Sequence, residues 1–196
     1  MATTYGTSAP TILPDTRWRT RDIIIATKQG MSIRFDEKQV RPMGRATVGV
    51  KAIDLSESDH VVGLGVTSDG EPQVLAVCEK GYGKRTPLSE FRPQNRGGKG
   101  IILIDASERN GPVVGIALVN DDDEVMLVTD RGQTLRTKVN EIRETGRNAQ
   151  GVRVMTVEDG ERVVAIEALA ESEDPGGLPV GPDGGSIPPP PTEEIN

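Results

Sequence analysis

Cysteine, histidine and aromatic residues are almost missing from this 196-residue chain, and each scarcity narrows what it can do. Its single cysteine, Cys78, cannot form an internal disulfide, which fits a reducing compartment. Within the apolar run Val74 to Cys78 it reads as a buried structural thiol and not as a nucleophile. The only histidine, His60, sits beside the run Val61 to Val66 and reads as structural rather than catalytic. No apolar run approaches the roughly 18 residues that cross a bilayer, and the first residues lack the basic-then-apolar layout of a signal peptide. Both absences point to the cytoplasm and away from a membrane. The acids Asp121-Asp122-Asp123-Glu124 lack the glycine and ligand spacing of a calcium loop and read as a solvated turn. The stretch Gln94 to Gly100 is glycine-rich but lacks the spacing and Lys-Ser/Thr ending of a nucleotide-binding loop. No metal or cofactor is expected.

What the chain has in quantity is glycine (23) and proline (14), with 35% hydrophobic residues, a mixture that favours many short strands joined by turns. The net charge of -7 argues against a polyanionic partner until its distribution is considered. Six of the 30 acids lie beyond Ala170, where there is no Lys or Arg, so residues 1–170 hold 23 bases against 24 acids. The tail, 171–196, also carries Pro-Gly-Gly, Gly-Pro-Asp-Gly-Gly and the prolines 188 to 191, and is expected to be disordered. On its residues alone it reads as an inert solubiliser. Residues 1–21 read as an irregular leader, either stapled to the domain by Trp18 or mobile.

Between leader and tail the chain repeats itself every 51 residues. Gly30, Gly81 and Gly132 keep this step, as do Arg34, Arg85 and Arg136. Val40, Phe91 and Ile142 follow it, then Arg41, Arg92 and Arg143, then Arg45, Arg96 and Arg147. Gly49, Gly100 and Gly151 and finally Val50, Ile101 and Val152 complete seven positions in register across three copies. Within the first copy, Ile23 to Thr27 and Met31 to Phe35 read as two strands around the turn Lys28-Gln29-Gly30. Val50 to Asp54 reads as a third strand and Val61 to Val66 as a fourth, answered later by Val113 to Leu118 and Val163 to Ala168. Tyr82 to Phe91 and Ile101 to Asp105 read as strand-like runs. Asp36 to Gln39, Leu88 to Glu90 and Val139 to Glu141 read as single helical turns. The expected fold is all-β, a propeller-like array of about three four-stranded blades at 22–70, 71–122 and 123–170.

The loops after each repeated glycine return arginine to the same places, which suits phosphate contacts at regular intervals along a rim. The contact candidates are Arg41, Arg45, Arg92, Gln94, Arg96, Gly97, Gly98, Lys99, Gly100, Arg143 and Arg147. Lys38, Lys51, Lys84, Arg85, Lys138 and Arg153 form a weaker second set. The plainer reading makes these residues blade scaffolding, with arginines paired to acids on neighbouring strands. For Arg34, Arg85 and Arg136, which sit inside strands, that reading is preferred.

Gln94-Asn95-Arg96-Gly97-Gly98-Lys99-Gly100 resembles the glutamine-basic-basic-Gly-Gly-basic-Gly box of the DNA gyrase A protein, with Asn95 where a basic residue is usual. Gly81 to Thr86 and Pro87 to Phe91 resemble the segment that precedes that box. Glu108 to Gly111 and Thr145 to Val152 resemble the last blades of that protein's C-terminal domain. The resemblance covers about Asp22 to Ala170. It implies a β-pinwheel whose blades exchange strands and whose basic rim binds and bends double-stranded DNA, and it implies a second reading of the acidic tail, as a tethered anion that competes with DNA for that rim. It implies no catalysis by this chain alone, since the family's strand-cleaving tyrosine lies elsewhere and neither Tyr5 nor Tyr82 has such surroundings. The family usually has five or six blades against three here. That fits a fragment of a gyrase subunit, or an independent half-ring that pairs with gyrase subunits or with a second copy as a homodimer. The competing reading is a propeller-like scaffold for other proteins.

Overall fold

The computed structural model describes residues 21–67 and 72–169. The expectations for Trp18, for the leader up to residue 20 and for the tail lie outside the described residues. Three antiparallel hairpins organise the rest: β1 (Asp22–Thr27) with β2 (Met31–Asp36), β4 (Gln73–Cys78) with β5 (Tyr82–Pro87), and β8 (Glu124–Thr129) with β9 (Thr134–Lys138). Each closes the same way. The amides of Gly30, Gly81 and Gly132 donate to the carbonyls of Thr27, Cys78 and Thr129, all at 3.0 Å, and each glycine has a positive φ. Only glycine takes that conformation cheaply, which explains why the repeat keeps it. After each hairpin comes a short 3-10 turn, Glu37–Gln39, Leu88–Glu90 and Val139–Glu141, where the sequence predicts single helical turns.

A strand from the end of each unit pairs with the first strand of its hairpin. These are β3 (Val61–Val66) on β1, β7 (Val113–Val119) on β4, and β11 (Val163–Leu169) on β8. The fourth strand comes from the next unit. The short β6 (Ile101–Ile102) belongs to the second repeat but pairs with β2, placing Ile101 opposite Ser32 and Ile102 opposite Met31. In the same way β10 (Val152–Arg153) of the third repeat pairs with β5. Sheet orders are therefore β3-β1-β2-β6 and β10-β5-β4-β7, with three strands, β11-β8-β9, in the third sheet among the described residues. All-β blades that trade strands make the expected β-pinwheel.

One expected strand is not formed. Val50–Asp54 corresponds to β6 and β10, yet it is irregular. Its counterparts are strands because a preceding hairpin offers them an edge, and no described hairpin precedes this one. The run Ile101–Asp105 likewise contracts to two strand residues. Leu103 and Ile104 then bend into the core, each 1% exposed, as both amides donate to the carbonyl of Gly30. The run Tyr82–Phe91 also ends early, at Pro87, where the 3-10 turn takes over.

The core lies between blades. On β4 the alternation of strand side chains sends Val74, Ala76 and Cys78 toward the first unit, while Leu75 and Val77 face the third. Glycines bring the innermost strands together. A Cβ on Gly63 would lie 2.9 Å from Ile116, and one on Gly115 would lie 2.9 Å from Ile166. Cys78 is fully buried, and that burial pushes its thiol up to about 12, in keeping with a structural role. Among the described residues no helix is long and apolar enough to cross a membrane.

Candidate nucleic-acid interface

The repeated arginines divide by what they touch. Arg34, on β2, donates through Nε to Asp22 at 2.7 Å and through Nη1 to the carbonyls of Leu88 (2.8 Å) and Phe91 (3.1 Å) of the next unit. Arg85, on β5, repeats this grip: it bonds the Ile142 carbonyl, Gln73 at 2.9 Å and the carboxylate of Asp121. Arg136, on β9, keeps only an ion pair with Glu124 and stays 66% exposed. Arg34 and Arg85 are blade clamps, and Arg136 pairs with an acid on its neighbouring strand, as the scaffolding reading expects.

Arg41, Arg92 and Arg143 each follow the residue that closes a 3-10 turn, and all three are exposed. None makes a hydrogen bond or ion pair with a described residue. Two nearby carboxylates are engaged elsewhere: Glu90 accepts from the Arg147 amide at 2.7 Å, and Glu144 accepts from Gln73 at 2.7 Å. The loop arginines that come next are partly engaged. Arg96 donates to the carbonyls of Gln39 (2.9 Å) and Lys51 (2.8 Å), and Arg147 reaches the Ile102 carbonyl at 3.3 Å. Arg45 is exposed and touches no described acceptor.

The glycine-rich loop is a joint between the first and second units. Gly97 donates its amide to the Ala52 carbonyl at 2.6 Å, and the Gly98 carbonyl accepts from Asp54 at 2.8 Å. At Gly100, with φ +76°, a Cβ would lie 2.2 Å from the Ser32 carbonyl oxygen. The close approach that these glycines permit is thus to the chain itself. Gln94 belongs to the same joint. Its amide donates to the Arg34 carbonyl at 2.7 Å, and its side-chain nitrogen is buried without an acceptor among the described residues. Lys99 remains exposed at the loop's tip. Neighbouring Asp54 is held below the usual carboxylate range first by its hydrogen bond to Lys51, with Lys99 a minor cause.

The second set scatters. Lys84 is not on the surface: it is 0% exposed, and its Nζ donates to the carbonyls of Arg147, Ala149 (3.0 Å) and Gly146 (3.3 Å). The first and third units have Ile33 and Leu135 at this place, so only the second joint carries a buried ammonium. Lys51 is ion-paired with Asp54, while Lys38 and Lys138 are exposed. Arg153 bonds the Tyr82 hydroxyl at 2.8 Å, which lowers that phenol's pKa. A residue outside the candidate set, Arg109, lies 4.4 Å over the Tyr82 ring and reaches Gln150. Asn110 beside it ties Asp105 to Gln150 through its amide at 2.7 and 2.9 Å. The turn Glu108–Gly111 thereby locks the second unit to the third. Of the acids 121–124, Asp121 serves Arg85, Glu124 serves Arg136, and Asp123 accepts from the Asn120 amide at 2.6 Å.

Burial holds the Lys84 ammonium down to about 8, the charge of Glu90 opposing this only in part. The folded value lies below that of the unfolded chain. Stability contributed at this site therefore rises as pH climbs from about 8 to about 10.5, because the unfolded chain then holds a proton that the folded chain has released. Unfolding curves of wild type and Lys84→Met across that window should diverge in favour of wild type as pH increases; parallel curves would refute the assignment.

Sequence comparison matches residues 21–68, 73–120 and 123–170 to the family described as DNA gyrase C-terminal domain, beta-propeller. The DNA gyrase A protein of Staphylococcus epidermidis (strain ATCC 12228 / FDA PCI 1200) is 48% identical over 154 residues, which are 78% of this chain and 17% of that protein. The DNA gyrase A protein of Haloquadratum walsbyi is 43% identical over 155 residues, 79% of this chain and 18% of the relative. The chain thus spans under a fifth of the length of these relatives. A solved gyrase A C-terminal domain superposes with a TM-score of 0.72 at 30% identity, covering 78% of this chain and 52% of that one. The C-terminal domain of DNA topoisomerase IV shares the fold, with a TM-score of 0.72 at 24% identity, covering 76% and 47%. Three strand-trading blades, the glycine-closed hairpins and these matches together establish that the chain belongs to the DNA gyrase C-terminal domain family.

Proposed function

We propose that this chain is a non-catalytic DNA-binding module that bends or wraps duplex DNA by contacting phosphates along a basic rim, without reading bases. The observation that carries this reading is the trio Arg41, Arg92 and Arg143. They hold one position in three successive units, and each is exposed and unspent on protein acceptors among the described residues. Scaffolding arginines at other repeat positions are consumed by carbonyls and carboxylates, whereas these three are left free to meet phosphate. Arg45 and Lys99 extend the row, and Arg96 and Arg147 contribute the guanidinium donors their loops leave over. Gln94, Gly97, Gly98 and Gly100 act by holding those loops in place. DNA of any sequence satisfies such a surface, since every duplex presents the same phosphates. Within a longer topoisomerase chain the module would sit beside the cleaving machinery in the cytoplasm, on nucleoid DNA, and contribute supercoiling by wrapping.

Gel shifts at low salt with two linear duplexes of equal length and unrelated sequence should give dissociation constants within about threefold of each other. Affinity should grow with length until the duplex spans the array. No shift at any length would instead favour the protein-scaffold reading, which the near-neutral body of the domain permits.

A further inference from the structure

The two ends of the blade row are complementary, and we infer that two copies of this chain join head to tail, segment 49–54 of one copy adding as a strand to the free edge of β9 in the other. The edge of β9 is free among the described residues; the inference rests on the pairing rule inside the chain and is independent of DNA binding.

That rule operates twice. At the first joint a Cβ on Gly30 would lie 2.2 Å from the Ile104 carbonyl oxygen, and one on Gly100 would lie 2.2 Å from the Ser32 oxygen. At the second joint, a Cβ on Gly81 would lie 2.1 Å from the Met155 oxygen and one on Gly151 would lie 2.6 Å from the Gly83 oxygen. The same step of 51 residues makes Gly132 the third acceptor and Gly49 the donor left over at the other end. Both keep positive φ, +84° and +79°, yet neither has any described atom within 4 Å of such a Cβ. Each has the shape of half a joint with no described atom in it.

Two further features break off at the same ends. Arg34 and Arg85 grip carbonyls of the following unit, whereas Arg136 has none among the described residues and is exposed. On the inner strands Gly63 packs on Ile116 and Gly115 on Ile166. The next member of that series is Ala165, which is exposed, and its counterpart Leu64 is 58% exposed. Exposed apolar residues on one end strand and an open edge on the other are what a repeat array shows where a neighbour is missing. The donor segment is ready for the role. Lys51 and Ala52 already accept hydrogen bonds from the second unit's loop. At the second joint Ile102, which is itself paired on β2, likewise accepts from Arg147.

Carrying the observed register forward places Val50 of one copy opposite Thr134 of the other and Lys51 opposite Gln133. Gly132 would then offer its carbonyl to Ala52 and Ile53, as Gly30 does to Leu103 and Ile104. Donation in both directions closes a ring of two chains, and donation in one direction grows a filament.

Disulfide trapping tests the register. Residues 51 and 133 fall at a non-hydrogen-bonded position, where Cα atoms approach to about 4.5 Å, within reach of a disulfide. Single variants Lys51→Cys and Gln133→Cys, mixed and oxidised, should give a covalent heterodimer. Lys51→Cys mixed with Thr137→Cys should give none, and buried Cys78 stays out of the reaction. Ala165→Glu faces solvent within one copy but would meet Leu64 of the other, so sedimentation should show its self-association weakened by about tenfold or more. Wild type that sediments as a monomer at submillimolar concentration overturns the inference. So does a cross-link indifferent to register, which would mean that another segment occupies the edge.

Discussion

Replacing Arg41, Arg92 and Arg143 together by glutamine should weaken binding to a long linear duplex by roughly 100- to 500-fold at about 100 mM salt, through the loss of three phosphate contacts. The thermal midpoint should stay within about 1 °C, because none of the three touches a described acceptor. That pairing of outcomes separates a phosphate-binding role from scaffolding. Arginines that held blades together would lower stability and affinity in step. Arginines facing solvent for no purpose would change neither. Restoring one arginine at a time should recover affinity in similar increments, since the units are equivalent and their contacts lie on separate blades.

The clamp arginines should behave in the opposite way. Arg85→Ala removes a side chain only 10% exposed, leaves the Ile142 carbonyl and Gln73 without their donor, and frees Asp121. A buried charged partner lost in this manner costs about 3 kcal/mol, or roughly 10 °C in thermal midpoint for a chain of this size. At the equivalent position Arg136→Ala should cost less than about 1 kcal/mol, since that guanidinium is 66% exposed and engages one carboxylate. Differential scanning calorimetry on the two variants reads both values. Equal losses would mean that Arg136 also grips carbonyls, which in the single chain it does not among the described residues. If copies associate as inferred, the Arg136 variant should move toward the Arg85 result at high protein concentration.

Much of this architecture is legible in the sequence because the repeat is strict. Three glycines in register fix three hairpin turns, and the residues after them alternate as strands must. The arginines inside strands can be assigned to scaffolding because a guanidinium on a half-buried strand needs a partner close by. What the sequence hides is which unit supplies the fourth strand. Val50, Ile101 and Val152 are equivalent as letters, yet only the latter two find a hairpin edge to pair with. Strand formation there depends on a neighbour and not on local propensity. Lys84 is hidden for a similar reason. Beside glycine and arginine it looks like a surface base, and its acceptors lie some 60 residues away in a loop of the next unit. The only signal is that Ile33 and Leu135 occupy the same place in the other units, which marks the position as interior. The glycine-rich loop shows the converse. Its glycines do allow close approach, and the partner they approach is the first blade.

The reading of this chain as a phosphate-binding rim is tested most directly by the salt dependence of its affinity for duplex DNA. With about six phosphates neutralised, log affinity should fall against log salt with a slope near -5, which is on the order of a thousandfold between about 50 and 200 mM. The triple glutamine variant should show a slope shallower by about 2.7. A slope near zero in wild type, or one that the triple substitution leaves unchanged, would contradict the account.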